Sequence, residues 1–124
     1  MNIYRGQIYT GNLGPISDSA GSEQRGIRPA LIIQNNTGNE YSPTVIVAPI
    51  TGRPKRYLPT HVDLSDVPGL TPGSTAILEQ IRTLDKRHLG TGLVATLEES
   101  KMRLIDDAIK VSLGLTLREG GEES

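Results

Sequence analysis

Two short apolar runs constrain this chain more than anything else in it. Residues 30–34 and 45–50 are built largely from Ile, Leu, Val and Ala. Runs that short and that rich in β-branched residues fit strands buried on both faces rather than helices. Residues 35–41 lie between them and carry three Asn and a Gly, which predicts a turn. Phe and Trp are absent and there are only four Tyr, so the core must be aliphatic. A chain of 124 residues is one domain. It can bury roughly two-thirds of its unfolded surface.

The remaining pattern extends this β reading. Residues 5–13 form a first strand, with Ile8 and Leu13 as core residues. Residues 14–27 make a polar loop, long enough to be functional. Residues 52–57 are a second polar loop. Residues 58–64 alternate as a strand that Pro59 places at an edge. An irregular connection, 65–73, leads to a strand at 74–82, one short helical turn within 84–89, and a last strand at 93–95. A capping box, Thr96 with Glu99, opens the one long helix. Its core face is Met102, Ile105, Ile109 and Leu113, widened by Leu104, Ala108, Val111 and Leu115. Lys101, Asp107 and Lys110 fall away from that face. Gly114 ends the helix. Residues 1–115 are therefore the domain, and 116–124 are a polar tail expected to lack order. The fold class is mainly β: a small, partly open β-barrel with a C-terminal helix and short helical insertions.

Charge and composition exclude several functions. Cysteine is absent, so there is neither a disulfide framework nor a thiolate metal site. No apolar run reaches the ~18–20 residues of a membrane span, and residues 1–7 lack the apolar stretch of a signal peptide. A soluble cytoplasmic protein is expected. The net charge is −1, but it is unevenly spread. Residues 1–88 hold nine basic and seven acidic side chains, and residues 89–124 hold four and seven. The basic residues cluster in Arg53-Pro54-Lys55-Arg56 and in 82–88, so a mildly acidic chain can still present a basic face.

The chemistry concentrates in residues 21–51. A glycine-bounded polar loop runs into Arg28-Pro29 at the start of one strand, and Thr51 ends the next. A permanent fork-shaped charge beside a neutral hydroxyl suits a phosphodiester better than a peptide or a sugar. The bland alternatives are a surface salt bridge for Arg28 and a backbone-bonded hydroxyl for Thr51.

In order and spacing, a set of short motifs resembles the MazF/PemK (Kid-like) family of toxin endoribonucleases of type II toxin–antitoxin systems, and most of all its Bacillus-type branch. They are Arg5-Gly6 with Tyr9, Gly21-Ser22-Glu23-Gln24, Arg28-Pro29, Ile33-Gln34-Asn35, Ser42-Pro43-Thr44, Ile50-Thr51, Leu58-Pro59-Thr60-His61-Val62, and Leu78-Glu79-Gln80-Ile81-Arg82-Thr83 with Asp85-Lys86. The resemblance covers about residues 4–115. It implies an SH3-like barrel and a homodimer. It implies sequence-specific, metal-independent cleavage of single-stranded RNA (an mRNA interferase) that leaves a 2′,3′-cyclic phosphate and a 5′-hydroxyl, with no cofactor. It also implies inhibition by a cognate MazE-like antitoxin, and it makes Arg28 and Thr51 the catalytic pair. Two features depart from the family pattern: a longer first loop and the extra C-terminal tail.

Read from their chemistry, the RNA-binding candidates fall into three groups. Ser22, Glu23 and Gln24 on the loop can read the edges of unstacked bases. Arg53, Lys55, Arg56, Lys86 and Arg87 can track phosphates, with Tyr57 available for stacking. His61, Glu79, Gln80 and Arg82 are polar groups beside apolar strands, suited equally to RNA contact or to internal bonding. Alternation along 74–82 sets Glu79 and Ile81 on one face and Gln80 and Arg82 on the other. A guanidinium does not deprotonate near neutrality, so Arg28 stabilises charge rather than acting as a base. The base is left open among Glu23, His61, water, or none. Two other functions fit such a fold: a CcdB-type toxin that binds DNA gyrase without catalysis, and an RNA-binding module that does not cut.

Overall fold

The computed structural model describes residues 2–15 and 24–115. Seven strands and two helices are seen among them: β1 (Gln7–Asn12), β2 (Ile27–Ile32), α1 (Asn36–Tyr41), β3 (Thr44–Thr51), β4 (His61–Asp63), β5 (Thr75–Ile77), β6 (Arg82–Asp85), β7 (Leu89–Thr96) and α2 (Glu99–Leu113). Every strand pairing is antiparallel. The order is β4-β5-β3-β2-β1-β7, with β6 also on β3, so the barrel is open between β4 and β7. As Pro59 predicts, β4 is an edge strand. No helix is long and apolar enough to cross a membrane.

The central strands bury both faces, which is why they read as unbroken apolar runs. Even positions of β3 (Ala48, Ile50) join Leu31 and Ile8 in one core cluster, which Ile105 and Ala108 of α2 complete. Odd positions (Val45, Val47) join Ala30, Ile32, Tyr9 and Leu13 in a second. Ile8 and Leu13 are both fully buried, as expected.

Residues 35–41 are not a turn. Asn35 caps α1 by accepting the Gly38 N–H (2.8 Å), and Asn39 is almost fully buried. Asn39 Nδ2 donates to the Gln34 carbonyl, and Gln34 Nε2 donates to Asn39 Oδ1 and to the Thr44 carbonyl. Paired amides thus turn loop-forming residues into a helical turn with its buried polar groups satisfied.

The C-terminal helix differs from its sequence pattern in two ways. Thr96 does not cap it: Thr96 still pairs with Gln7 in the sheet, and the Leu97 N–H is held by the Gly6 carbonyl at 2.9 Å. The chain therefore stays extended until Glu98, which is the N-cap and makes no side-chain cap bond. The buried stripe is also narrower than expected. Met102, Ile105, Ala108 and Ile109 meet the core, whereas Leu104, Val111, Leu113 and Leu115 are exposed. Lys101 reaches Asp66 at 3.0 Å, and Arg5 reaches Asp106 at 2.6 Å. These contacts agree with the rotation that burial of Ile105 and Ala108 sets. At the far end Gly114 takes a left-handed conformation (φ 72°) and closes the helix, as its position predicts.

The largest correction lies in 74–82, which is not one strand. Ala76 pairs with Ile50 and Arg82 with Val47. Over that interval β3 advances three residues while its partner advances six. The surplus is taken up by a 3-10 turn, Leu78–Gln80. Leu78 points into the core; Glu79 and Gln80 are displaced from the sheet, so strand alternation does not place them. Strand boundaries shift elsewhere too: β2 starts at Ile27, β4 is confined to three residues, and β7 runs from Leu89. The short helical turn is Lys86–His88.

Candidate active site

The β2–β3 register sets Ala30 opposite Pro49. Continued by two residues, it sets Arg28 opposite Thr51, on the face away from α2. Pro29 and Pro49 lack ladder donors, and the β2–β3 pairing stops at Ala30–Pro49. The two strands beyond it edge an open cleft of about 370 Å³, lined by Arg25, Arg28, Thr51, Thr71 and Ser74.

Arg28 is half-buried and oriented at two points. Its Nε donates to the Arg25 carbonyl (2.8 Å), and its Nη1 donates to Thr51 Oγ1 (3.4 Å). The second bond is long and contributes little by itself. It does orient the hydroxyl: Oγ1 accepts from Arg28, so its own proton is free to be donated into the cleft. Among the described residues no carboxylate pairs with Arg28. A half-buried, uncompensated guanidinium beside an available hydroxyl is a site for an oxyanion.

A second opening, about 420 Å³, shares Arg25 with the first and is lined by Gln24, Glu79, Gln80 and Arg82. Gln80 Oε1 accepts the Gln24 N–H (2.8 Å), and Arg82 Nη1 donates to the Gln24 carbonyl (3.3 Å). Gln24 Oε1 is buried with no partner among the described residues.

His61 belongs to a separate network. The Leu58 N–H donates to Nδ1 (3.1 Å), so the ring proton sits on Nε2 and is donated to Glu79 Oε2 (3.0 Å). Thr60 donates to Glu79 Oε1 (2.6 Å). Burial alone would raise the Glu79 carboxyl. The hydrogen bonds from Thr60 and His61 outweigh it and hold Glu79 below the ordinary carboxylate range. Tyr57 packs edge-on against the imidazole at 6.1 Å and donates to Thr75 Oγ1. Both ring nitrogens of His61 are engaged, so in this arrangement the imidazole cannot accept a proton from a substrate.

The basic residues separate into two kinds. Arg53, Lys55 and Arg56 are exposed on the β3–β4 connection, with no hydrogen-bonded partner among the described residues. Arg87 is exposed but paired: Asp85 accepts from its Nε, its Nη2 and its backbone N–H. Those bonds, the side-chain ones foremost, pull the Asp85 carboxyl down to about 2. Lys86 donates to the Asn39 carbonyl. Ser22 and Glu23 lie outside the described residues, as does the tail 116–124. Two contributors were not singled out from sequence. Arg25, three residues before Arg28, offered a signal in that spacing; Thr60 offered only its place beside His61.

Known proteins place the chain. Residues 4–113 match the model of the PemK-like, MazF-like toxins of type II toxin–antitoxin systems. Among solved structures, an endoribonuclease from mycobacterial species in complex with its cognate antitoxin is 29% identical, with a TM-score of 0.73 over 92% of this chain and 97% of that one. Another endoribonuclease from mycobacterial species is 27% identical, with a TM-score of 0.73 over 93% and 94%. MazF from Deinococcus radiodurans, 24% identical, shares the fold at a TM-score of 0.75 over 92% and 98%. The chain belongs to the PemK-like, MazF-like toxins of type II toxin–antitoxin systems.

Proposed function

We propose that this toxin is a metal-independent, sequence-specific endoribonuclease for single-stranded RNA, with Arg28 and Thr51 acting on the scissile phosphate. Family membership and the two mycobacterial endoribonucleases support the activity. The observation that carries the site is the Arg28 guanidinium, unpaired by any described carboxylate and set against Thr51 Oγ1. The 2′-hydroxyl gives up its proton to water as its oxygen attacks the adjacent phosphorus, the bond to the 5′-oxygen breaks, and that oxygen takes a proton from water, leaving a 2′,3′-cyclic phosphate and a 5′-hydroxyl. The phosphorane carries extra negative charge. Arg28 takes it through charged N–H donors, and Thr51 adds the hydroxyl proton that its bond to Arg28 leaves free. Arg25 lines the same cleft. His61 is not the base, because both of its nitrogens are engaged.

RNA would continue past Gln24 toward Arg82 and along the exposed Arg53, Lys55 and Arg56. Arg87, neutralised by Asp85, contributes less to that path. A homodimer that is cytoplasmic and restrained by a cognate antitoxin completes the reading. The antitoxin is supported by the 29%-identical relative, solved with its own.

The test is incubation with a long defined RNA, followed by mapping of 5′ ends and identification of the end groups by mass. The expected result is cutting at one short sequence, unchanged by EDTA and slowed at least about 10²-fold by Arg28→Ala in a folded protein. Full activity in that variant would falsify the site, and loss of cutting with EDTA would remove the metal-free step. A gyrase poison or a non-catalytic RNA binder would give no cut.

A further inference from the structure

We infer that Gln80 is a positioning residue for Arg28, holding it through the backbone of residues 24–25 rather than reading RNA. The inference deepens the proposed cleavage reaction and rests on it. The path is short. Gln80 Oε1 accepts the Gln24 N–H at 2.8 Å, and Arg82 Nη1 donates to the Gln24 carbonyl at 3.3 Å. Both polar groups of one peptide segment are therefore held by side chains from a different part of the barrel. The next carbonyl, that of Arg25, accepts Arg28 Nε–H at 2.8 Å. The other side of the segment is tied to the end of β1: Leu13 N–H to the Gly26 carbonyl and Gly26 N–H to the Gly14 carbonyl, each 2.8 Å. Arg25 Nη1 adds a bond to the Leu13 carbonyl.

Residues 24–26 are thus gripped from both sides, and the Arg25 carbonyl they present sets the roll of the Arg28 fork. A guanidinium has five donors in one rigid plane. With Nε fixed, the Nη1 edge has one direction, toward Thr51. If Nε were released, the fork could rotate about its long stem, and bidentate phosphate contact would lose its geometry. Gln80 can make this contact only because the three-residue surplus between β5 and β6 lifts it out of the sheet. An uninterrupted strand would have left it in the ladder.

A base-reading glutamine and a clamping glutamine answer differently to substitution. The clamp uses the acceptor oxygen, which Gln80→Glu keeps and Gln80→Leu removes. The first measurement is hydrogen exchange at Arg28 Nε–H by proton–nitrogen NMR, its signal assigned by its loss in Arg28→Ala. Exchange should quicken about tenfold in Gln80→Leu and stay within about twofold of the parent in Gln80→Glu. The second is cleavage of the mapped RNA. Gln80→Leu should lower kcat about 10- to 100-fold, with little change in KM and the same cut sequence. Gln80→Glu should keep kcat within about threefold.

Unchanged Nε exchange in Gln80→Leu would overturn the inference, as would a raised KM at constant kcat or an altered cut sequence. Equal kcat losses in both variants would do the same. The exchange measurement needs no RNA, so it judges the clamp separately from the cleavage reaction, which Arg28→Ala judges.

Discussion

Replacing Thr51 by Val removes one hydroxyl from the cleft at nearly constant volume, and replacing Arg28 by Ala removes the charge beside it. Losing a single preorganised donor to a developing oxyanion costs about 2.7–4 kcal/mol, or about 10²–10³ in rate. Independent donors would add, so the double variant would lose about 5–8 kcal/mol. The geometry opposes that sum. Arg28 Nη1 meets Thr51 Oγ1 at 3.4 Å, and this contact turns the hydroxyl proton outward. Without Arg28 the hydroxyl has lost both its orientation and the charge that draws the phosphate in, so Thr51→Val should then cost little more. The long contact is weak in itself, and the coupling arises from a shared phosphate. Single-turnover cleavage of one defined RNA by the four proteins measures it. The double variant is expected within about tenfold of Arg28→Ala. Two full, additive losses would show that the two side chains act at different places, and the shared-phosphate argument would fail.

The other predictions concern what holds the site. Ile105→Ala should cost about 2–5 kcal/mol in urea unfolding, because the side chain is fully buried beneath the sheet. Leu104→Ala should stay within about 0.5 kcal/mol, since that residue is 52% exposed; equal losses at both positions would contradict the helix rotation. Glu79 titrates below its ordinary 4.5 in the folded protein. Its contribution is therefore fully present above that value and is lost as pH falls through the lower folded one. Glu79→Gln should be less stable by about 1 kcal/mol near neutrality. The gap should close in acid; a gap that widened as the pH fell would reverse the sign of the linkage.

The sequence carries the catalytic candidates more openly than their support. Arg28 and Thr51 stand out because the strands that bear them are apolar on both faces, so a charge or a hydroxyl at their ends is conspicuous. The small partly open barrel follows from the same runs. The α1 turn escapes because Asn and Gly favour turns locally, and only the buried Gln34–Asn39 pairing, a tertiary effect, makes them helical. The capping box at Thr96 escapes for a similar reason: local capping chemistry is present, but the sheet keeps that residue paired with Gln7. The exposed Leu104, Val111 and Leu115 lie on a plausible helical stripe, and only the fit of Ile105 and Ala108 into the core, with the contacts of Lys101 and Arg5 beside it, decides which stripe faces inward.

The surplus between β5 and β6 connects these levels. The alternation expected over 74–82 fails at the break itself, where the apolar run Ala76-Ile77-Leu78 meets the polar pair Glu79-Gln80, and β3 offers only three positions where its partner supplies six residues. The excess must leave the sheet. Leu78 anchors it by entering the core, which forces the two following side chains outward. Glu79 then takes Thr60 and His61, fixing the imidazole as a donor and removing it from proton transfer. Gln80 takes the Gln24 backbone, one residue from the carbonyl that holds Arg28. A mismatch in strand length, with no chemistry of its own, thus decides how the His61 imidazole is bonded and, in the proposed reaction, how the Arg28 cation is held.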